Sequence, residues 1–176
     1  MAFGFIQTLI AAFRILELNF EKPYAIDIKE QILMSIANVL LVDDEVEFVE
    51  AFSERLGLRD VAISKAFNGE EALQVLETNK DIEIVILDVK MPGMDGIETL
   101  AEIKKKCPLV EVIMLSGHAD VESAINGMKQ GAYDYLMKPC DMDQIIAKVT
   151  DAAAKKRQHE EKIIQARIKD ITSRHA

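Results

Sequence analysis

Five residues in this 176-residue chain, Asp43, Asp44, Asp88, Ser116 and Lys138, each follow on or close a short apolar run. Taken singly, each says little, because an aspartate after a strand is most often a helix cap or a turn residue. Taken together at matching strand ends, they describe a pocket. Three carboxylates at one rim repel and raise one another's pKa unless a cation compensates. A hard divalent ion that keeps waters and completes its shell with a phosphoryl oxygen suits that set, which makes magnesium (or manganese) the expected cofactor. Asp88 is best placed as a nucleophile at the centre of the sheet, with Asp43 and Asp44 holding the ion. Transfer of a phosphoryl group to a carboxylate is mainly positioning and charge neutralisation. Lys138 would supply a point charge and Ser116 a hydrogen bond.

For those residues to meet, the runs before them must be parallel strands ending at one edge. Strands are expected at Asn38 to Val42, Val61 to Ala66, Glu83 to Leu87, Glu111 to Leu115 and Ala132 to Leu136. Helix-period segments alternate with them at Glu45 to Leu56, Gly69 to Thr78, Gly96 to Lys106 and Val121 to Gln130, and a fifth begins near Met142. Strict alternation gives an α/β, three-layer doubly wound sandwich with right-handed crossovers. The continuous apolar runs Ile84 to Leu87 and Val112 to Leu115 are those of strands covered on both faces. In such sheets a ligand sits beyond the carboxyl ends, where the strand order reverses.

The charge distribution narrows the function classes. Residues 1–35 carry a balance of -1, residues 36–150 of -11 and residues 151–176 of +3, making the total of -9. An acidic body argues against direct nucleic-acid binding, which needs clustered Lys and Arg. Two cysteines, Cys107 and Cys140, fit a reduced cytoplasmic protein. The uncharged run Met1 to Phe13 is too short to span a bilayer, and no basic stretch precedes it. Phe3, Ile6, Ile10, Phe13, Leu16 and Phe20 recur at helical spacing, so residues 1–36 read as an amphipathic helical extension or a non-native leader. Neither Gly nor Pro appears after residue 140, and residues 151–176 therefore read as a helical prolongation of the fifth helix, with Ile163, Ile164, Ile168 and Ile171 as an apolar stripe.

Residues 37–150 resemble a bacterial response-regulator receiver domain. The likeness is carried by Val39-Leu40-Leu41-Val42-Asp43-Asp44-Glu45, by Ile86-Leu87-Asp88-Val89-Lys90-Met91-Pro92-Gly93-Met94-Asp95-Gly96, by Met114-Leu115-Ser116-Gly117 and by Tyr135-Leu136-Met137-Lys138-Pro139. It implies a flavodoxin-like five-stranded sheet of order 2-1-3-4-5. It further implies that Asp88 is the phosphoacceptor and that Asp43, Asp44, Asp88 and the backbone carbonyl of Lys90 hold the metal. Ser116 and Lys138 match the phosphate-contacting pair, Ser116 and Tyr135 the switch residues, and Pro139 a cis-proline. The resemblance also marks Lys90 and His118 as positions that modulate dephosphorylation. The implied donor is a phosphohistidine on a sensor histidine kinase or histidine phosphotransfer protein, and the implied readout is the face formed by the fourth helix, fifth strand and fifth helix. A signalling domain with no turnover substrate follows, with a homodimer among its expected partners.

Two other readings compete. An aspartyl-phosphate hydrolase of dehalogenase-like type needs a second Asp two positions after the nucleophile, where this chain has Lys90. A receiver that works as a non-phosphorylated dimerising scaffold is the other. A nucleotide-binding domain is disfavoured, because Asp43-Asp44-Glu45 stands where a glycine-rich turn would cradle phosphate.

Overall fold

The computed structural model describes residues 35–117 and 121–173. The extension expected over residues 1–36 lies outside these up to residue 34. The elements alternate as β1 (Ala37–Val42), α1 (Val46–Gly57), β2 (Val61–Ala66), α2 (Gly69–Thr78), β3 (Ile84–Asp88), α3 (Gly96–Lys106), β4 (Glu111–Ser116), α4 (Val121–Lys129), β5 (Asp134–Met137) and α5 (Met142–Ser173). All strand pairs are parallel and the order is β2-β1-β3-β4-β5, so the expected doubly wound sandwich is the one observed.

Period-two alternation divides the apolar residues of the central strands between two cores. Val39, Leu41, Ile84, Ile86, Ile113 and Leu115 face α1 and α5, where they meet Val49, Leu56, Ile145 and Val149. Leu40, Val42, Val85, Leu87, Val112 and Met114 face the opposite layer and meet Ala72, Leu76, Leu100 and Ile103. Because both faces are covered, the strands need no polar residue until their ends. The register then brings those ends to one edge: Val42 pairs with Leu87, Asp88 with Leu115 and Ser116 with Met137.

The fifth strand begins two residues later than its sequence suggests. Gly131, at φ 95°, ends α4 in a left-handed conformation. Its amide bonds to the Met128 carbonyl and that of Ala132 to the Gly127 carbonyl. This paired closure of a helix terminus keeps Ala132 out of the ladder. Tyr133 makes the first link to β4, through its amide and the Val112 carbonyl at 2.7 Å.

The opposite edge of the sheet is held by charge pairs. Buried Glu83 accepts from Arg157 Nε at 2.6 Å and Nη2 at 2.8 Å, and from the Asn38 amide at 3.1 Å. Buried Glu111 pairs with Lys155 at 2.9 Å and Lys104 at 3.4 Å. Arg157 also donates to the Ile36 carbonyl, fixing α5 to the start of β1. Beyond that point α5 continues to Ser173 with its side chains almost all exposed, among them Ile163, Ile164, Ile168 and Ile171. No helix among the described residues is long and apolar enough to cross a membrane.

Candidate functional site

β1 and β3 deliver Asp43 and Asp88 side by side at the sheet's carboxyl edge, 1% and 6% exposed respectively. Lys138, one residue past β5, reaches across to both. Its ammonium lies 2.5 Å from Asp43 Oδ2 and 2.7 Å from Asp88 Oδ1, with Glu45 further off at 3.8 Å. The remaining oxygens meet backbone: Asp43 Oδ1 accepts from the Glu45 amide at 3.1 Å and Asp88 Oδ2 from the Lys90 amide at 2.7 Å. Phe48, in the first turn of α1, stacks on Phe52 with ring centroids 5.0 Å apart. The Lys138 ammonium sits 4.2 Å from the centre of the Phe48 ring.

The loop after β3 is shaped by two local features. Asp95 caps α3 by accepting from the Glu98 amide at 2.8 Å, and Glu98 accepts in return from the Asp95 amide. Gly96 allows the helix to approach the backbone of Asp88, since a Cβ there would lie 2.1 Å from the Asp88 carbonyl oxygen. Ser116 is buried at the end of β4, and its carbonyl accepts from the Lys138 amide at 2.7 Å. The Lys138-Pro139 peptide is cis, as expected.

Two buried carboxylates share one ammonium, so the pocket retains an uncompensated negative charge. Burial pushes the Asp43 carboxyl above its ordinary value, and the Lys138 hydrogen bond only partly opposes this. Burial alone would lower the Lys138 pKa, but its bonds to Asp43 and Asp88 more than offset that and hold it above the usual lysine value. Excess negative charge on hard oxygen donors is the chemistry of a site that accepts a hard cation. The three aspartates do not form a ready-made cluster, however. Asp44 is exposed at the rim, and among the described residues no three His, Cys, Asp or Glu side chains converge as a metal site.

Of the other expected residues, Tyr135 is half-buried against the β1-β3-β4 face shared with α2 and α3. Its hydroxyl is buried and finds no hydrogen-bond partner among the described residues. Lys90 is exposed beside the pocket, and His118 lies outside the described residues. Phe48 is the neighbour that sequence reasoning passed over. Its spacing of four from Phe52, beginning four positions after Asp44, was the available signal, and such a pair ordinarily reads as core.

The site thus defines a class: a doubly wound domain with paired acids, a central aspartate and a bridging lysine at one rim. The family model described as the response regulator receiver domain matches residues 39–150, and the chain belongs to that family of signalling domains. An NtrX-like response regulator of Rickettsia bellii is 40% identical over 115 residues, covering 64% of this chain and 24% of that protein. The DNA-binding transcriptional regulator NtrC of Escherichia coli K12 is 35% identical over 114 residues, covering 65% and 24%. The chain therefore spans about a quarter of the length of these curated relatives. Among solved structures, a response regulator receiver domain protein from Clostridium thermocellum is 34% identical with a TM-score of 0.67, covering 69% of this chain and 98% of that one.

Proposed function

We propose that the domain accepts a phosphoryl group on Asp88 from a phosphohistidine of a sensor histidine kinase or histidine phosphotransfer protein, in a phosphorelay. The observation that carries this reading is the Lys138 ammonium set between the two buried carboxylates of Asp43 and Asp88. An Asp88 carboxylate oxygen attacks phosphorus, the P–N bond to the imidazole breaks, and the leaving nitrogen keeps the electron pair. Asp43, Asp44, Asp88 and the Lys90 carbonyl would hold Mg2+ or Mn2+, whose chemistry is to neutralise charge on the transferring group. Lys138 offers an ammonium already within hydrogen-bond reach of the nucleophile. Ser116, buried at the end of the adjoining strand, would donate its hydroxyl to a phosphoryl oxygen.

Phosphorylation replaces one negative charge at Asp88 by about two and adds acceptor oxygens, which redirects Lys138 and Ser116 towards them. Readout through α4, β5 and α5 is supported by the exposed apolar residues Val121, Ile125, Met128 and Met137 on the first two of these elements. It is supported also by Tyr135, whose buried hydroxyl, unbonded among the described residues, carries a desolvation cost of about 1 to 3 kcal/mol that another orientation would relieve. To invert a 1:99 population, the modification must favour one state by about 5.5 kcal/mol, so partial activation is expected.

The test is intact-mass analysis of the full chain after treatment with a small-molecule phosphodonor and Mg2+. Wild type is expected to gain one phosphoryl group and Asp88→Asn none. An unmodified wild type, or equal labelling of both proteins, overturns the reading.

A further inference from the structure

We propose that Phe48 is a positioning residue for Lys138, its ring holding the ammonium at the point between Asp43 and Asp88 from which it meets the arriving phosphoryl group. The inference rests on the function proposed above and adds a residue to it.

An ammonium has three N–H donors on a flexible four-carbon stem. Two of the three directions are taken, by Asp43 at 2.5 Å and Asp88 at 2.7 Å. The Phe48 ring also lies against the ammonium, at 4.2 Å, well inside the range of about 6 Å over which an aromatic face attracts a cation. The competing neighbour is the exposed Glu45, whose carboxylate is 3.8 Å away and would draw the charge outward to solvent. Nothing about a lysine stem alone decides between the inner acids and that outer one.

The ring can decide because it is itself fixed. Phe48 stacks on Phe52 at an interplanar angle of 19°, and Phe52 belongs to the buried core between the sheet, α1 and α5. The packing of α1 is thereby transmitted to the ammonium through one aromatic face. Leucine at this position would fill part of the volume without a π surface, whereas tyrosine keeps the surface.

The experiment measures the initial rate of Asp88 phosphorylation by a small-molecule donor with Mg2+ in the full chain. The proteins are wild type, Phe48→Leu, Phe48→Tyr, Lys138→Ala and the double variant Phe48→Leu/Lys138→Ala. Phe48→Leu is expected to slow the reaction about threefold to tenfold, and Phe48→Tyr to stay within about twofold of wild type. With Lys138 already removed, Phe48→Leu should slow it no further. The same fold-loss in both backgrounds would mean that Phe48 only packs α1, and that result overturns the proposal. So does a Tyr variant as slow as the Leu variant.

Urea unfolding of the same proteins reads the contact without any turnover. The two substitutions are expected to couple by at least about threefold in the unfolding constant, and purely additive values overturn the proposal. Phe48→Met repeats the contrast with an adaptable apolar chain should the leucine variant not fold. A wild type that takes no phosphoryl group defeats the proposed function and this inference together. A wild type that is phosphorylated but shows additive variants defeats this inference alone.

Discussion

Among the described residues, the two edges of the sheet bury two carboxylates each and treat them in opposite ways. At the amino edge, Glu83 and Glu111 are met by three cations, Arg157, Lys155 and Lys104, and by a backbone amide. At the carboxyl edge, Asp43 and Asp88 have one ammonium between them, with Asp44 and Glu45 adding further negative charge at the rim. A saturated set of charges has nothing left to bind. The shallow groove of about 360 Å³ at the amino edge, lined in part by Asn38, Glu83, Lys156 and Arg157, is of that kind. An unsaturated set stores an unmet demand for positive charge, and that demand is what marks a site. That groove lies at the edge opposite Asp43 and Asp88.

The largest expected effect tests the unsaturated edge. Lys138→Ala removes the cation that, among the described residues, bridges the two buried carboxylates and should lower stability by about 3 kcal/mol, the scale for breaking a buried pair. Urea unfolding would show it, and adding Asp88→Asn should restore more than half. Next comes the saturated edge: Glu83→Gln should cost about 1 to 2 kcal/mol. It removes charge from a well-bonded carboxylate but lets the half-exposed Arg157 return to water. Asp88→Asn should behave differently from Glu83→Gln, leaving stability unchanged or raised by up to about 1 kcal/mol, because it relieves excess negative charge beside Asp43 at the carboxyl edge. Equal destabilisation by the two neutralising substitutions would erase the contrast between the edges.

The smallest effect appears in alkali. Burial lowers the Lys104 pKa, and its pairing with Glu111 does not fully offset this. The folded protein therefore binds fewer protons at Lys104 than the unfolded chain between the depressed value and the ordinary lysine value of about 10.4, so Lys104 makes stability rise with pH in that window. Lys138, with its raised pKa, contributes stability that is present below the ordinary lysine value and lost as pH climbs through the folded one. Urea midpoints followed towards about pH 10 should fall more steeply in Lys104→Met than in wild type.

What the sequence revealed depends on whether a contact follows from topology. Asp43 and Lys138 are 95 positions apart, yet their meeting was legible, because both end strands of a parallel sheet whose order the motifs imply. Glu83 and Arg157 are 74 apart and went unread. Arg157 sits far along a helix, where no strand-end rule says what it touches. Asp43 and Asp44 read as an equivalent pair, but the alternation of side chains past β1 turns the first inward and leaves the second at the rim. The late start of β5 escaped for a different reason: Gly131 does mark the end of α4, but the apolar Ala132 and Tyr133 after it read as strand, and only the backbone bond of the Ala132 amide to the Gly127 carbonyl withholds Ala132 from the ladder.

The last sixteen described residues of α5, 158–173, rise about 24 Å beyond the clamp at Arg157. Such a rod converts angle into distance. A tilt of about 10° at its root sweeps the tip through roughly 4 Å, more than the length of a hydrogen bond. The pairing of Arg157 with Glu83 and the Ile36 carbonyl acts as the fulcrum, so whatever loosens those three groups is magnified at the far end of the rod.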